Sequence, residues 1–336
     1  MSATLPATGP GADHPTVTAD GAEPAASTTS SSTPAASTTS AEPAASTTSS
    51  STDTDLGPDV WPSVRIATVR NALQPTERRV VDLVLDDVAA AVEATAQEIA
   101  DRAGVARSSV IRTCQRLGYR GYPQLRVALA RELALGAEPP AHPDTALGRV
   151  RTHVESLAAT LQQITSVLSD EHVERAVALC VGAGRVLATG NGLSSPLAAD
   201  LALRLTAVGR PTECVADPIG QQIAAAQLTP SDLCLVVSGS GASESSLRVA
   251  RAGRAAGVPV VVLTSFVESP LTALADVALV VGPAAGSFRA ELEHTSRVPH
   301  AIVLEAFVEV VADRLGERSR QVRSRVLDVL STNLSD

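Results

Sequence analysis

The stretch Asp232–Ser246, D-L-C-L-V-V-S-G-S-G-A-S-E-S-S, carries the reading of the fold, because an apolar run stops abruptly in serines and glycines. Leu233 to Val237 shows no period-two alternation, as expected of a parallel strand buried on both faces, and helix-forming residues return from Leu247. The serine loop therefore closes the carboxyl end of a strand. Gly239 and Gly241 let backbone N–H groups approach a ligand closely, and the hydroxyls of Ser238, Ser240 and Ser243 can donate hydrogen bonds. The N-terminus of the following helix favours an anion. Phosphate suits all of these groups. A ligand-free Ser/Gly turn would use the same residue types, so the neighbouring segments decide.

Working outward, four more short runs read as strands: Arg185–Thr189, Thr212–Val215, Pro259–Leu263 and Val277–Val281. Helical patterns lie between them, and a long helical pattern from about Ala146 leads in. Alternating strands and helices predict an α/β domain with a five-stranded parallel sheet flanked by helices. Ligands bind such sheets beyond the carboxyl ends of the strands, where the serine loop sits.

The chain has 336 residues, of which 44% are hydrophobic, enough for more than one domain with a real core. Residues 1–58 repeat P-A-A-S-T-T-S from Pro24, Pro34 and Pro43 in a background of Ser, Thr, Ala and Pro, which predicts a disordered low-complexity tail. A helical domain is expected over 59–135, a linker over 136–150 around G-A-E-P-P-A-H-P, and the sheet domain over 151–330. No apolar run is long enough to span a bilayer, and the N-terminus lacks the pattern of a signal peptide, so a soluble cytoplasmic protein without a membrane partner is expected. Cys114, Cys180, Cys214 and Cys234 are widely spaced and suggest buried free thiols, with neither zinc nor disulfides, and no cofactor is expected.

The net charge of −9 hides a strong asymmetry. Residues 1–60 hold seven acids and no Lys or Arg, whereas Arg102 to Arg131 contains seven arginines and no acid. Within the basic region, Thr95-Ala-Gln-Glu98 forms a capping-box signature that starts a helix, and Gly104 falls where a turn to a second helix requires a left-handed backbone. The second helix, from about Arg107 to Leu117, would bury Val110, Cys114 and Leu117. It would turn Ser108, Ser109, Arg112 and Arg116 outward. Arginines and hydroxyls on one exposed face suit a recognition helix for double-stranded DNA, and Arg107 and Arg120 extend that basic face.

The wider run Ala94–Arg126, A-T-A-Q-E-I-A-D-R-A-G-V-A-R-S-S-V-I-R-T-C-Q-R-L-G-Y-R-G-Y-P-Q-L-R, resembles the helix-turn-helix domain of RpiR-family bacterial regulators. Val105, Arg112, Arg116-Leu117-Gly118-Tyr119 and Gly121-Tyr122 to Leu125 fall where that family's pattern has equivalents, and Leu73–Arg79 fits its opening helix. Thr113 departs from the pattern, standing where the family usually has an aromatic core residue. It would either loosen packing or bring a hydroxyl toward DNA.

The second half is similar to a SIS (sugar isomerase) domain, the usual companion of this helix-turn-helix. The similarity runs through Gly190-x-Gly192-x-Ser194, the S-x-S-G-x-[ST] run at Ser238, Ser240, Gly241 and Ser243, and then Thr264, Ser269-Pro270-Leu271 and Ala275-Asp276. The resemblance implies that Ser194, Ser195, Ser238, Ser240, Gly241 and Ser243 line a phosphosugar site, and Glu291, shortly before the apolar helix that starts at Ala301, is a candidate to bind sugar hydroxyls in a sensor. It further implies a regulator and not an enzyme, with operator DNA and a phosphorylated sugar effector as partners and assembly as a homodimer or homotetramer. The alternative is a sugar-phosphate isomerase, which would need a base near C1 and C2. Glu291, Glu293 and His294 are the candidates for it, while His153, His172 and His300 have no motif partners.

Overall fold

The computed structural model describes residues 60–135, 142–282 and 296–334. The Ser/Thr/Ala/Pro-rich segment and Glu291, Glu293 and His294 lie outside the described residues.

The helical region comprises α1 (Pro62–Val69), α2 (Pro75–Asp86), α3 (Val88–Glu93), α4 (Ala96–Ala103), α5 (Arg107–Arg116) and α6 (Tyr122–Leu135). Helix α4 starts as its capping box predicts. The Glu98 amide donates to Thr95 Oγ1 at 3.3 Å, and the Thr95 amide donates to Glu98 Oε2 at 2.7 Å. It ends at Gly104, whose φ of 62° is left-handed and whose N–H returns to the carbonyls of Ala100 and Asp101. That turn aims α5 away from α4. Ile99, Ala100, Val110, Cys114 and Leu117 then meet Ile66, Val80, Val84 and Leu125 in one buried core.

After α7 (Ala146–Leu161) and α8 (Asp170–Gly182) the chain alternates strands and helices: β1 (Val186–Gly190), α9 (Ser195–Ala207), β2 (Thr212–Cys214), α10 (Pro218–Ala226), β3 (Leu233–Val237), α11 (Glu244–Ala255), β4 (Val260–Thr264) and β5 (Val277–Val280). Two helices, α12 (Val298–Leu315) and α13 (Glu317–Asn333), follow. The strands form one five-stranded sheet in the order β2-β1-β3-β4-β5, with every pairing parallel.

The unbroken apolar runs have the cause expected of them. Leu233, Leu235 and Val237 point into one core with Leu201, Leu205 and Phe307, while Cys234 and Val236 point into the opposite core with Leu187, Val249 and Leu271. Each fully buried Val or Leu contributes about 1.5–3 kcal/mol, so a strand covered on both faces has no position to spare for a polar residue. The edge strand β2 is only partly covered, which corrects the expectation for the cysteines: Cys114, Cys180 and Cys234 are buried, but Cys214 is exposed. Burial pushes the thiols of Cys114 and Cys234 up to about 12 and that of Cys180 to about 11, far from reactive thiolates.

Candidate functional site

The chain leaves β1 and β3 toward opposite sides of the sheet, since β2 lies beyond β1 on one side and β4 beyond β3 on the other. Such a reversal of strand order opens a crevice at the carboxyl ends of the two central strands. Gly190 pairs in register with Val237, so the loops that follow both strands begin at the same level. These are the loops that carry the sequence-predicted serines.

After β1, Gly190 allows a very close approach, because a methyl group there would overlap the Ser194 carbonyl. The chain winds through a single 3-10 turn, Gly192–Ser194, into α9. Ser194 is buried there and Ser195 is the first residue of α9. Below them Asn191 donates to Gln221 Oε1 at 3.1 Å and to Ser246 Oγ at 3.2 Å, which joins the β1 loop to α10 and α11. Asn191 and Gln221 went unremarked in the sequence, where nothing links positions 30 residues apart.

After β3, Ser238 is buried and its N–H donates to the Leu263 carbonyl at 2.9 Å. Gly241 has a φ of 62°, and a side chain there would collide with the Ser269 hydroxyl. The Gly241 carbonyl receives the Leu271 N–H at 2.9 Å. Ser240 Oγ accepts the Ala242 N–H at 3.3 Å. Ser243 is the N-cap of α11 yet its hydroxyl makes no capping bond. Among the described residues, the hydroxyls of Ser194, Ser195, Ser238 and Ser243 have no hydrogen-bond partner, so they are free to donate to a ligand.

Thr264, which ends β4, donates its hydroxyl to the Gly239 carbonyl at 3.1 Å, and the same carbonyl receives the Ser265 N–H at 2.9 Å. Ser265 Oγ lies 3.1 Å from His300 Nε2. His300, which has no partner by motif, thus has one in space. It is buried, its titration is pushed down to about 3 by burial and then by the charge of Arg297, and it is therefore a neutral ring behind the loop.

On the helical side, Arg107, Ser108, Arg112, Arg116 and Arg120 are exposed and Ser109 is partly so. Arg112 only leans on its own helix, with Nε 3.4 Å from the Ser108 carbonyl and Nη2 3.5 Å from Ser108 Oγ. Arg116 is turned back, donating to the Ala72 carbonyl at 2.7 Å and lying 3.8 Å from Glu77. Thr113 is fully buried and donates to the Ser109 carbonyl at 2.8 Å. The hydroxyl thus has its partner inside the helix and does not face DNA.

Residues 64–136 match the helix-turn-helix domain of the rpiR family and residues 181–304 match the SIS domain. The chain is 33% identical over 267 residues to "Bifunctional protein glk" of Paraburkholderia xenovorans, an overlap of 78% of this chain and 41% of that protein. It thus spans less than half the length of that relative. It is 28% identical over 223 residues to the protein named "Uncharacterized HTH-type transcriptional regulator YfhH" of Escherichia coli, covering 62% of this chain and 77% of that one. Its fold is similar to that of the Vibrio vulnificus NanR protein complexed with ManNAc-6P, with a TM-score of 0.53, 22% identity, and 82% of this chain and all of that chain covered. A helix-turn-helix joined to a parallel-sheet SIS domain is the class that fold and site define. Within that class the order of the two domains and the rpiR-type helices decide the matter, and the chain belongs to the RpiR family.

Proposed function

We propose that this protein is a cytoplasmic transcriptional regulator whose sheet domain binds a phosphorylated sugar and thereby adjusts the affinity of its helical domain for operator DNA. The observation that carries this reading is the reversal of strand order between β1 and β3, beyond which two serine-bearing loops begin at the same level on the same chain as an rpiR-type helix-turn-helix. In this reading the helical domain is 59–135, the linker 136–150 and the sheet domain 151–330. Ser194, Ser195, Ser238, Ser240, Gly241 and Ser243 hold phosphate, and Glu291 holds the sugar. Arg107, Ser108, Ser109, Arg112, Arg116 and Arg120 face DNA. The similarly folded NanR protein is complexed with a sugar phosphate, ManNAc-6P, which supports the same ligand class here.

A binding role fits the site better than isomerisation. Glu244, the carboxylate next to the serine loop, is held below its ordinary range by its hydrogen bond to Arg248 and by Arg251, a state suited to an ion pair and poorly suited to moving protons. One short recognition helix reads few bases, so paired half-sites bound by a homodimer or homotetramer restore specificity. The test is a thermal-shift panel of pentose and hexose phosphates on wild type and Ser240→Ala, followed by gel shifts with upstream DNA. At least one compound should stabilise the wild type and change its DNA affinity, and Ser240→Ala should bind DNA while losing the response. Turnover of a sugar phosphate, or no DNA binding at low salt, would overturn the proposal.

A further inference from the structure

We propose that Asn191 reads the sugar end of the effector, its side-chain oxygen accepting a hydrogen bond from a hydroxyl or amide N–H of the bound phosphosugar. This rests on the effector reading above and adds to it a specificity-determining residue outside the serine motifs. Asn191 directly follows Gly190, the last residue of β1, in the loop that also carries Ser194 and Ser195. It is partly exposed there, at the carboxyl end of the strand where the crevice opens.

Which end of the Asn191 amide faces a ligand follows from the partners of Gln221. Gln221 is buried, and its Nε2 lies 3.2 Å from the Gly190 carbonyl and 2.9 Å from the Val215 carbonyl. Both carbonyls can only accept, so the nitrogen of Gln221 must face them and its oxygen must face Asn191. That oxygen in turn holds Asn191 with its nitrogen inward. Nδ2 donates to Gln221 Oε1 at 3.1 Å and to Ser246 Oγ at 3.2 Å. Both N–H bonds of the amide are then used, and Oδ1 is left as a pure acceptor.

That oxygen is not spent elsewhere. Asn191 is the N-cap of the 3-10 turn Gly192–Ser194, a place where an Asn oxygen ordinarily accepts a backbone N–H, yet its side chain makes no capping bond. The Ser194 N–H goes instead to the Asn191 main-chain carbonyl at 3.1 Å. Nor is Oδ1 one of the buried polar atoms that lack a partner among the described residues, so solvent reaches it. Serine hydroxyls and loop amides are donors and suit phosphate oxygens, whereas a carbonyl oxygen repels them and suits the donors of a sugar. Because Gln221 and Ser246 hold the amide before a ligand arrives, little ordering cost is left to binding, and turning the amide over would set oxygen against oxygen.

Titration calorimetry of the full chain tests this with hexose and N-acetylhexosamine 6-phosphates, each paired with analogues that lack one sugar hydroxyl or the acetamido group. The proteins compared are wild type, Asn191→Ala, Gln221→Leu and Ser240→Ala. Wild type should favour a parent compound over one of its analogues by about three- to tenfold, the value of a neutral hydrogen bond. Asn191→Ala should bind that pair equally, having lost affinity for the parent alone. Gln221→Leu frees the amide to turn and should narrow the same preference. Ser240→Ala, at the phosphate end, should weaken parent and analogue alike and keep their ratio. A merely structural role for Asn191 would lower the melting temperature and leave the ratio as in wild type. Wild-type ratios for every pair in Asn191→Ala, with Ser240→Ala defective, would overturn the role of Asn191 and leave the serine site standing. A wild type that binds sugar phosphates without distinguishing any analogue would overturn it as well. One that binds no sugar phosphate would remove the effector reading and this proposal together. If Asn191→Ala does not fold, Gln221→Leu decides, and an unaltered ratio there counts against the proposal.

Discussion

Arg112 and Arg116 stand one turn apart on α5, and the difference between them is what each must give up to reach a DNA duplex. Arg112 leans on Ser108 through contacts at 3.4 and 3.5 Å, near the limit of a hydrogen bond. Swinging it outward costs little. Arg116 would have to abandon a 2.7 Å bond to the Ala72 carbonyl and its ion pair with Glu77, which brace α5 against the turn before α2 and against α2 itself. Arg112→Ala should therefore weaken operator binding by about 1–3 kcal/mol with the fold intact. Arg116→Ala should lower the melting temperature as well as the affinity. Fluorescence anisotropy across a salt series, paired with thermal melts, separates the two. Equal affinity of Arg112→Ala and wild type would remove Arg112 from the interface.

Among the elements, α7 carries an exposed apolar seam. Leu147, Val150, Val154, Leu157 and Leu161 recur at alternating steps of three and four residues, the seam of a helix that packs against another helix. Leu147, Val150 and Val154 are more than half exposed. A second copy of α7 is a self-complementary cover and would serve the pairing that the proposed function requires. Val154→Glu puts a charge in the middle of that seam, and burying it unpaired costs several kcal/mol, so the dimer should weaken by at least about a hundredfold. Sedimentation velocity at micromolar concentration reads the result, and an unchanged oligomer would rule out α7 as the seam. The legibility of the other elements follows from the same local logic. β3 and β4 announce themselves because burial on both faces leaves only apolar residues, and α4 and the turn after it do so through Thr95, Glu98 and Gly104. β2 is legible mainly through the alternation around it, since an exposed edge strand reading T-E-C has no apolar signature. The contacts between Asn191 and Gln221, and between His300 and Ser265, were beyond reach, because no periodicity relates residues brought together only by the sheet.

At the scale of the whole molecule, the site and the helical domain are separated by very few bonds. The Gly239 carbonyl holds Thr264 and Ser265 at the end of β4, and two residues later the Val267 N–H donates to the Thr68 carbonyl of α1 at 3.0 Å. Thr68 and Phe266 are fully buried at this junction. Trp61 N–H donates to Gln163 Oε1 at 3.2 Å, and Val64 and Val60 pack with Val167, so α1 is shared between the two regions. Ile66 of the same helix is in the core that carries the recognition helix. A ligand that repositions Gly239 therefore acts on a peptide bonded to the β4 loop, and the β4 loop is bonded to α1. Coupling between two sites is typically 1–3 kcal/mol, comparable to one or two hydrogen bonds of this kind. Val267→Pro deletes the N–H that crosses the junction. DNA affinity without effector should stay within about twofold of wild type, while the effector-induced change in affinity should shrink about fivefold, the equivalent of roughly 1 kcal/mol. The measurement is a pair of anisotropy titrations with and without the sugar phosphate found by the thermal-shift panel, with effector affinity checked by calorimetry and folding by thermal melts. Val64→Ala, which thins the same junction without touching the backbone, should shift the response in the same direction. A full response in both variants, with effector affinity intact, would show that the signal reaches the helical domain by another route.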